Sequence, residues 1–379
     1  MRSRIIYRIA IGALFFILGL CFASWASRIP TIRQKLNISD SNLGLILFAL
    51  PAGSFCSLPV SGWLINKLSS RIIAFSALFL YGLVLLALGF AQSPFQLVVC
   101  LFFYGWLGNT ANISINTQAL GVQEMYGKGI MASFHGLWSL AGFTGAAVGT
   151  YMIARGISPA YHFLGISLLT LCGLALSFSF AIKRDVNNKE STSFFTRPEG
   201  SLISLGAIAF CSLICEGAMF DWSGIYFQKI VKADKGMIGA GYSAFMCTMA
   251  AGRFMADWFS NRFGVRFTLQ GSGLLICMGL LLVVLFPYVA TAITGFLLVG
   301  FGVCSVVPLV YSLAGKSEKL SAGAALATVS TIGFLGFLLG PPVIGLIAGA
   351  FNLRISFLLI ALMGLCVTLV TTKVLPAKS

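Results

Sequence analysis

Apolar residues in this chain come in long unbroken blocks, not at every second or every third to fourth position. Twelve blocks of about 20 residues or more stand out, near 5–26, 42–66, 72–92, 95–121, 129–153, 161–182, 201–227, 236–260, 267–287, 288–314, 321–349 and 354–375. Each is long enough, as a helix, to cross a hydrocarbon core of about 30 Å. Hydrocarbon offers no hydrogen bonds, and a helix satisfies its backbone internally. The pattern predicts an all-α membrane protein with twelve transmembrane helices. Most connectors are short. The exception, 183–200, reads KRDVNNKESTSFFTRPEG and falls at the midpoint. It divides an N-terminal six-helix bundle, 1–182, from a C-terminal one, 201–379, with 183–200 as a cytoplasmic linker.

The halves echo each other. Ser139 to Gly149 and Ser330 to Gly340 both read S-x-x-G-F-x-G-x-x-x-G. Ser24-Trp25-Ala26-Ser27 is matched by Asp221-Trp222-Ser223 at an offset near 197. Asn109, Asn112 and Asn116 share their spacing with Ser305, Pro308 and Ser312. Three matches at nearly one offset predict a duplicated six-helix unit, the parallel-repeat plan of two-bundle transporters.

Charge fixes an orientation. Placing the N-terminus inside puts 17 of the 25 Lys and Arg on the inner side, which predicts both termini in the cytoplasm and a cytoplasmic (inner) membrane location. Arg28, Arg33 and Lys35 form an outer cluster. Arg2, Arg4 and Arg8 precede an apolar run as in a signal peptide, but eleven more apolar blocks follow, so this block reads as a retained first helix.

Composition agrees: 58% hydrophobic residues, 9% charged, 42 glycines and a mean hydropathy of +0.95. About a quarter of an ordinary soluble domain is charged. The pI of 9.6 invites a nucleic-acid partner, but the basic residues lie in connectors and form no single face, so none is expected. The ten cysteines sit mostly in apolar runs with no CxxC, and read as packing residues. No metal or cofactor is expected.

At this point the chain resembles the major facilitator superfamily. Gly62-Trp-Leu64-Ile-Asn66-Lys67-Leu-Ser69-Ser70-Arg71 is similar to the family's G-x-L-x-D-R-x-G-R-R signature, with Asn66 in place of the acid and Ser69 in place of the second glycine. Gly252-Arg253-Phe-Met-Ala-Asp257 through Arg262-Phe-Gly264 is similar to its second copy. Ala23 to Arg33, Met131 to Ser139 and Glu216 to Ser223 resemble the bacterial YbjJ-type branch, distantly similar to fucose-permease-like proton symporters. The resemblance implies two pseudo-symmetric bundles, and it implies that Arg253 and Asp257 help lock an inner gate.

Among the residues, Cys215-Glu216-Gly217-Ala218-Met219-Phe220-Asp221-Trp222 carries two of only ten acids, inside an apolar block. A carboxylate in hydrocarbon costs roughly 3 kcal/mol on insertion scales, so it is a candidate for function. Glu216, roughly 22 Å from the inner end of its helix, is the candidate proton-coupling residue, with Asp221 beside it. The other reading of Glu216 is a neutral helix-to-helix hydrogen bond. Arg28 at the end of the first span and Asp221 are a candidate outer gate; the alternative for Asp221 is a solvated acid near Lys229. Asn109, Asn112 and Asn116 share one helical face and are candidate solute contacts, or else interhelical glue. His135 is a candidate relay or solute contact, and Trp25 and Trp222 are candidate stacking walls. Gln118 points the other way and reads as structural. Gly340-Pro341-Pro342 predicts a kink.

These features predict a secondary active transporter that carries a small polar, possibly sugar-like solute in symport with protons by alternating access, working as a monomer in the bilayer. The alternatives are a proton-coupled exporter of drugs or metabolites and a non-transporting scaffold or sensor. No nucleotide-binding motif and no nucleophile–base pair is present, so no catalytic residue is assigned and an enzyme is not expected.

Overall fold

The structure is a computed structural model that describes residues 2–126, 130–183, 200–314, 317 and 322–374. Residues 184–199, most of the expected linker, lie outside that set, as do the side chains of Asn66 and Asp257. Among the described residues every regular element is helical. The α-helices are α1 (Arg2–Lys35), α2 (Asp40–Leu47), α3 (Ala49–Leu68), α4 (Ser70–Phe90), α5 (Pro94–Tyr126), α6 (Met131–Ala154) and α7 (Pro159–Phe178), then α8 (Gly200–Tyr226), α9 (Ala240–Phe263), α10 (Val265–Leu285), α11 (Val289–Val303), α12 (Val306–Ala314), α13 (Ala322–Ala350) and α14 (Leu353–Val374).

Two of the sequence blocks are interrupted: α2 and α3 share one span, Asp40–Ile65, and α11 and α12 share another, Val289–Ala314. Among the described residues, eleven stretches are long and apolar enough to cross a membrane. The twelfth, α9, has the length, 24 residues. It holds Arg253, Asp257 and Arg262, which lower its hydropathy. The twelve-span, all-α architecture predicted from the blocks is the one observed.

Two boundaries differ from the sequence reading. The first helix runs to Lys35, nine residues past the end of the apolar block and through Pro30. Arg28 is therefore not at a helix end but inside α1, 1% exposed. Similarly, α8 continues to Tyr226 and widens into a π-helical turn over Phe227–Val231, so Asp221 lies well before the helix C-terminus. Pro341 and Pro342 sit inside an unbroken α13, and Gly44 approaches the Pro341 carbonyl, where an added Cβ would come within 2.5 Å.

The chain divides into two compact units, residues 1–39 with 45–188, and residues 40–44 with 189–379. In the first, α1 packs on α6 and α7, α3 on α5, and α4 on α5 and α7. A Cβ on Gly105 would collide with the Leu50 carbonyl, so glycine sets the close approach of α3 and α5. Ser54 reinforces it by donating to the Gly105 carbonyl at 3.0 Å. Gln118 donates to Ser70 Oγ at 2.6 Å and pairs with both backbone groups of Ile182, at 3.0 and 2.7 Å, which is the structural role its position predicted.

In the second unit α8 packs on α13 and α14, α9 on α11, and α10 on α11 and α14. Its core includes Leu205, Ile208, Val306, Val329 and Val367. Gly300 meets the Phe245 carbonyl as Gly105 meets that of Leu50, both residues offset by 195. The junctions before α4 and α10 repeat as well: Ser69 has φ 84°, ψ 148° and Gly264 has φ 85°, ψ 152°. The duplication read from sequence is thus present in backbone geometry.

Candidate functional site

In the second unit, α8 carries Glu216 among buried neighbours from Ile214 to Phe220. It is 6% exposed. From α9, Arg253 Nη2 donates to Glu216 Oε1 at 3.3 Å. This is one charge-assisted contact, longer than the usual 2.7–2.9 Å, between a buried carboxylate and a part-buried guanidinium. Arg253, which the family resemblance sets at an inner gate with Asp257, here reaches Glu216. The Asp257 side chain lies outside the described residues. Asp221, five residues after Glu216, is half-buried on the same helix. Lys229, its alternative partner, bonds Asp40 Oδ2 at 2.6 Å inside this unit. Trp222 is fully buried, and its Nε1 has no hydrogen-bond acceptor among the described residues.

The first unit builds a second polar centre. Arg28 Nε of α1 donates to His162 Nδ1 of α7 at 3.1 Å, and both residues are 1% exposed. Because Nδ1 accepts, the ring is neutral and its proton sits on Nε2. Among the described residues Arg28 Nη2 and His162 Nε2 have no acceptor, and neither does Nε1 of Trp25, one turn before Arg28. Sequence reading passed over His162. Its signal was available: the chain has only 2 histidines, and this one lies inside an apolar block.

The remaining candidates are distributed through the first unit. Asn109 Nδ2 donates to the Ser54 carbonyl at 3.0 Å and to Ser57 Oγ at 2.8 Å, tying α5 to α3. Asn116 Nδ2 donates to the Asn112 carbonyl and Oδ1 at 2.8 and 3.1 Å, along one helix. All three are half-buried. His135 is exposed and meets Phe15 edge-on at 5.4 Å.

A polytopic protein of two six-helix repeats, with ionisable side chains buried in its spans, belongs to the class of two-bundle membrane transporters. The sequence profile of the Major Facilitator Superfamily matches residues 9–319 and again 205–379, and the chain belongs to that family. An uncharacterized MFS-type transporter of Yersinia pestis is 30% identical over 353 residues, covering 93% of this chain and 92% of that one. The membrane protein MosC of Rhizobium meliloti is 28% identical over 362 residues, 94% of this chain and 88% of its own. Among solved structures, the nucleoside transporter NupG superposes with a TM-score of 0.78 at 12% identity, over 98% of this chain and 100% of that one. A bacterial homolog of the human lysosomal transporter Spinster, inward-facing and unoccupied, gives 0.75 at 13%, over 98% and 97%. These two likenesses are of fold. The protein is a multi-pass membrane transporter, not an enzyme.

Proposed function

We propose that the protein is a secondary active transporter that moves a small polar solute across the cytoplasmic membrane by alternating access, in symport with protons, with both termini in the cytoplasm. The observation that carries this reading is the Glu216–Arg253 pair, 3.3 Å apart inside the second unit. A buried pair whose contact, at 3.3 Å, is longer than usual has two accessible states. In one, Glu216 is a carboxylate and Arg253 is its counter-ion. In the other, Glu216 has taken a proton, is neutral, and releases Arg253. Leaving either charge alone in a low-dielectric interior is costly, so proton and helix rearrangement are tied together. Asp221 supplies a second carboxylate on the same helix. Within the first unit, Asn112, Asn116 and the indole of Trp25 supply the mixed donor, acceptor and stacking chemistry that a hydroxyl-bearing solute needs.

The test uses proteoliposomes with a pH dye inside and an imposed pH gradient. The panel is sugars, hydroxy acids, amino acids and nucleosides. The wild type accumulates one class and acidifies the lumen. Glu216→Gln keeps solute exchange and loses proton-driven accumulation. Driven uptake that survives unchanged in E216Q removes Glu216 from coupling.

A further inference from the structure

We infer that Arg28, His162 and Trp25 form a binding site inside the first unit for a single carboxylate group on the transported solute. This rests on the transporter reading and narrows its substrate to a small monocarboxylate.

The argument starts from charge. Arg28 is a buried cation whose hydrogen-bond partner among the described residues is a neutral imidazole. In the first unit the one acid among the described residues is Glu124, in the last turn of α5. It lies at the opposite end of the bundle. Lys35, at the C-terminus of α1, bonds the Ala91 carbonyl just before α5 begins, while Arg8, near the N-terminus of α1, sits over the ring of Tyr126, where α5 ends. Arg8 and Arg28 are separated by about 30 Å along the helix. Within the first unit Arg28 is a buried charge with no counter-charge among the described residues, a strong structural demand that a bound anion would meet.

Hydrogen-bond chemistry gives the same sign. Arg28 Nη2, His162 Nε2 and Trp25 Nε1 are all donors, all buried and all without an acceptor among the described residues. The imidazole is what turns a lone arginine into a site. By accepting from Arg28 Nε, it fixes the guanidinium in place and commits its own proton to Nε2. Gly149 of α6 lies beside the ring edge between the two nitrogens, where an added Cβ would be 3.7 Å from His162 Cε1, so α1, α6 and α7 meet here.

The number of charges selects the ligand. One guanidinium and a neutral ring balance one negative charge. A phosphate monoester carries about −1.5 to −2 near neutral pH and wants more donors. A carboxylate carries one charge and accepts a planar fork from arginine.

The experiment measures thermal unfolding of the purified full-length protein in detergent at pH 7.5 and constant ionic strength. The probes are acetate, lactate and gluconate, the neutral amides acetamide and lactamide, and inorganic phosphate. A saturable rise in Tm with a carboxylate, and none with its amide, is expected for the wild type. Arg28→Lys weakens the apparent affinity about tenfold or more, and Trp25→Phe a few-fold, as loss of charge-assisted and neutral donors dictates. Trp25→Phe changes one donor and little volume, so it reports even if Arg28 variants fail to fold. Glu216→Gln keeps the carboxylate response, which separates this site from the coupling reading. An undiminished response in both R28K and W25F overturns the proposal. So does a response to phosphate equal to that to carboxylates. Silence of the wild type overturns it too.

Discussion

The two units share a scaffold and differ in what they bury. Trp25 and Trp222 are equivalent, fully buried, and both leave an indole N–H without an acceptor. Three residues further, the first unit places Arg28 and the second Ile225. The caps of α7 and α14 are equivalent too, with Ser158 and Asn352 each accepting from the backbone three residues on. Four residues past those caps stand His162 in one unit and Ser356 in the other, where Ser356 bonds the Ile344 carbonyl at 3.0 Å. So the Arg28–His162 centre has no counterpart in the second unit. The converse holds for Glu216, whose equivalent is Gly19, packed against the Trp138 carbonyl. Duplication preserved the backbone contacts, and the ionic groups were placed independently. Each bundle therefore has a different polar task on the same frame.

The largest effect expected from breaking this contrast is at the second unit's ion pair. Arg253→Gln leaves Glu216 buried without its counter-charge and should cost about 3 kcal/mol of stability. Chemical unfolding in detergent reads this, and adding Glu216→Gln should recover most of it. If the single and double variants are equally unstable, Arg253 acts through packing and not through charge.

Next come the shared contacts. Gly105→Ala and Gly300→Ala each drive a methyl into a backbone carbonyl, of Leu50 and of Phe245. Both should lose about 1–3 kcal/mol, and by similar amounts. A tolerant Gly105 beside an intolerant Gly300, or the reverse, shows that the two interfaces are equivalent in shape only.

The smallest is a gain. Ser69 holds at φ 84°, ψ 148° a conformation that Gly264 adopts in the other unit. For a residue with a Cβ this region costs on the order of 1 kcal/mol or more. Ser69→Gly should therefore raise Tm, and Gly264→Ser should lower it. An unchanged Tm in both would mean that the junctions relax freely.

Much of the architecture was legible along the chain. Runs of about 20 apolar residues and one polar midpoint segment are one-dimensional facts, and they specify spans and halves because a membrane rewards length and apolarity directly. The repeat was legible because helix packing in each half reuses the same small residues, such as Gly145 and Gly336. Glu216 was conspicuous as an acid in an apolar block. Its partner was not: Arg253 lies 37 residues away and belonged by motif to a gate. Arg28 read as a charge at the end of the first span because the apolar block stops near residue 26, whereas α1 continues to Lys35 and draws the guanidinium inside. Asn109 read equally well as solute contact or glue, and its bonds to Ser54 and Ser57 required the position of α3.

By itself, then, the sequence determined a twelve-span transporter of duplicated bundles and pointed to one buried acid. Tertiary structure alone decided the partners. Arg28 and His162 are 134 residues apart, and neither is an acid in an apolar run. Hydropathy is a property of each segment against its solvent and can be read locally. An ion pair or a set of unmatched donors depends on which helix faces which, and at what rotation, and only the packed bundle fixes those.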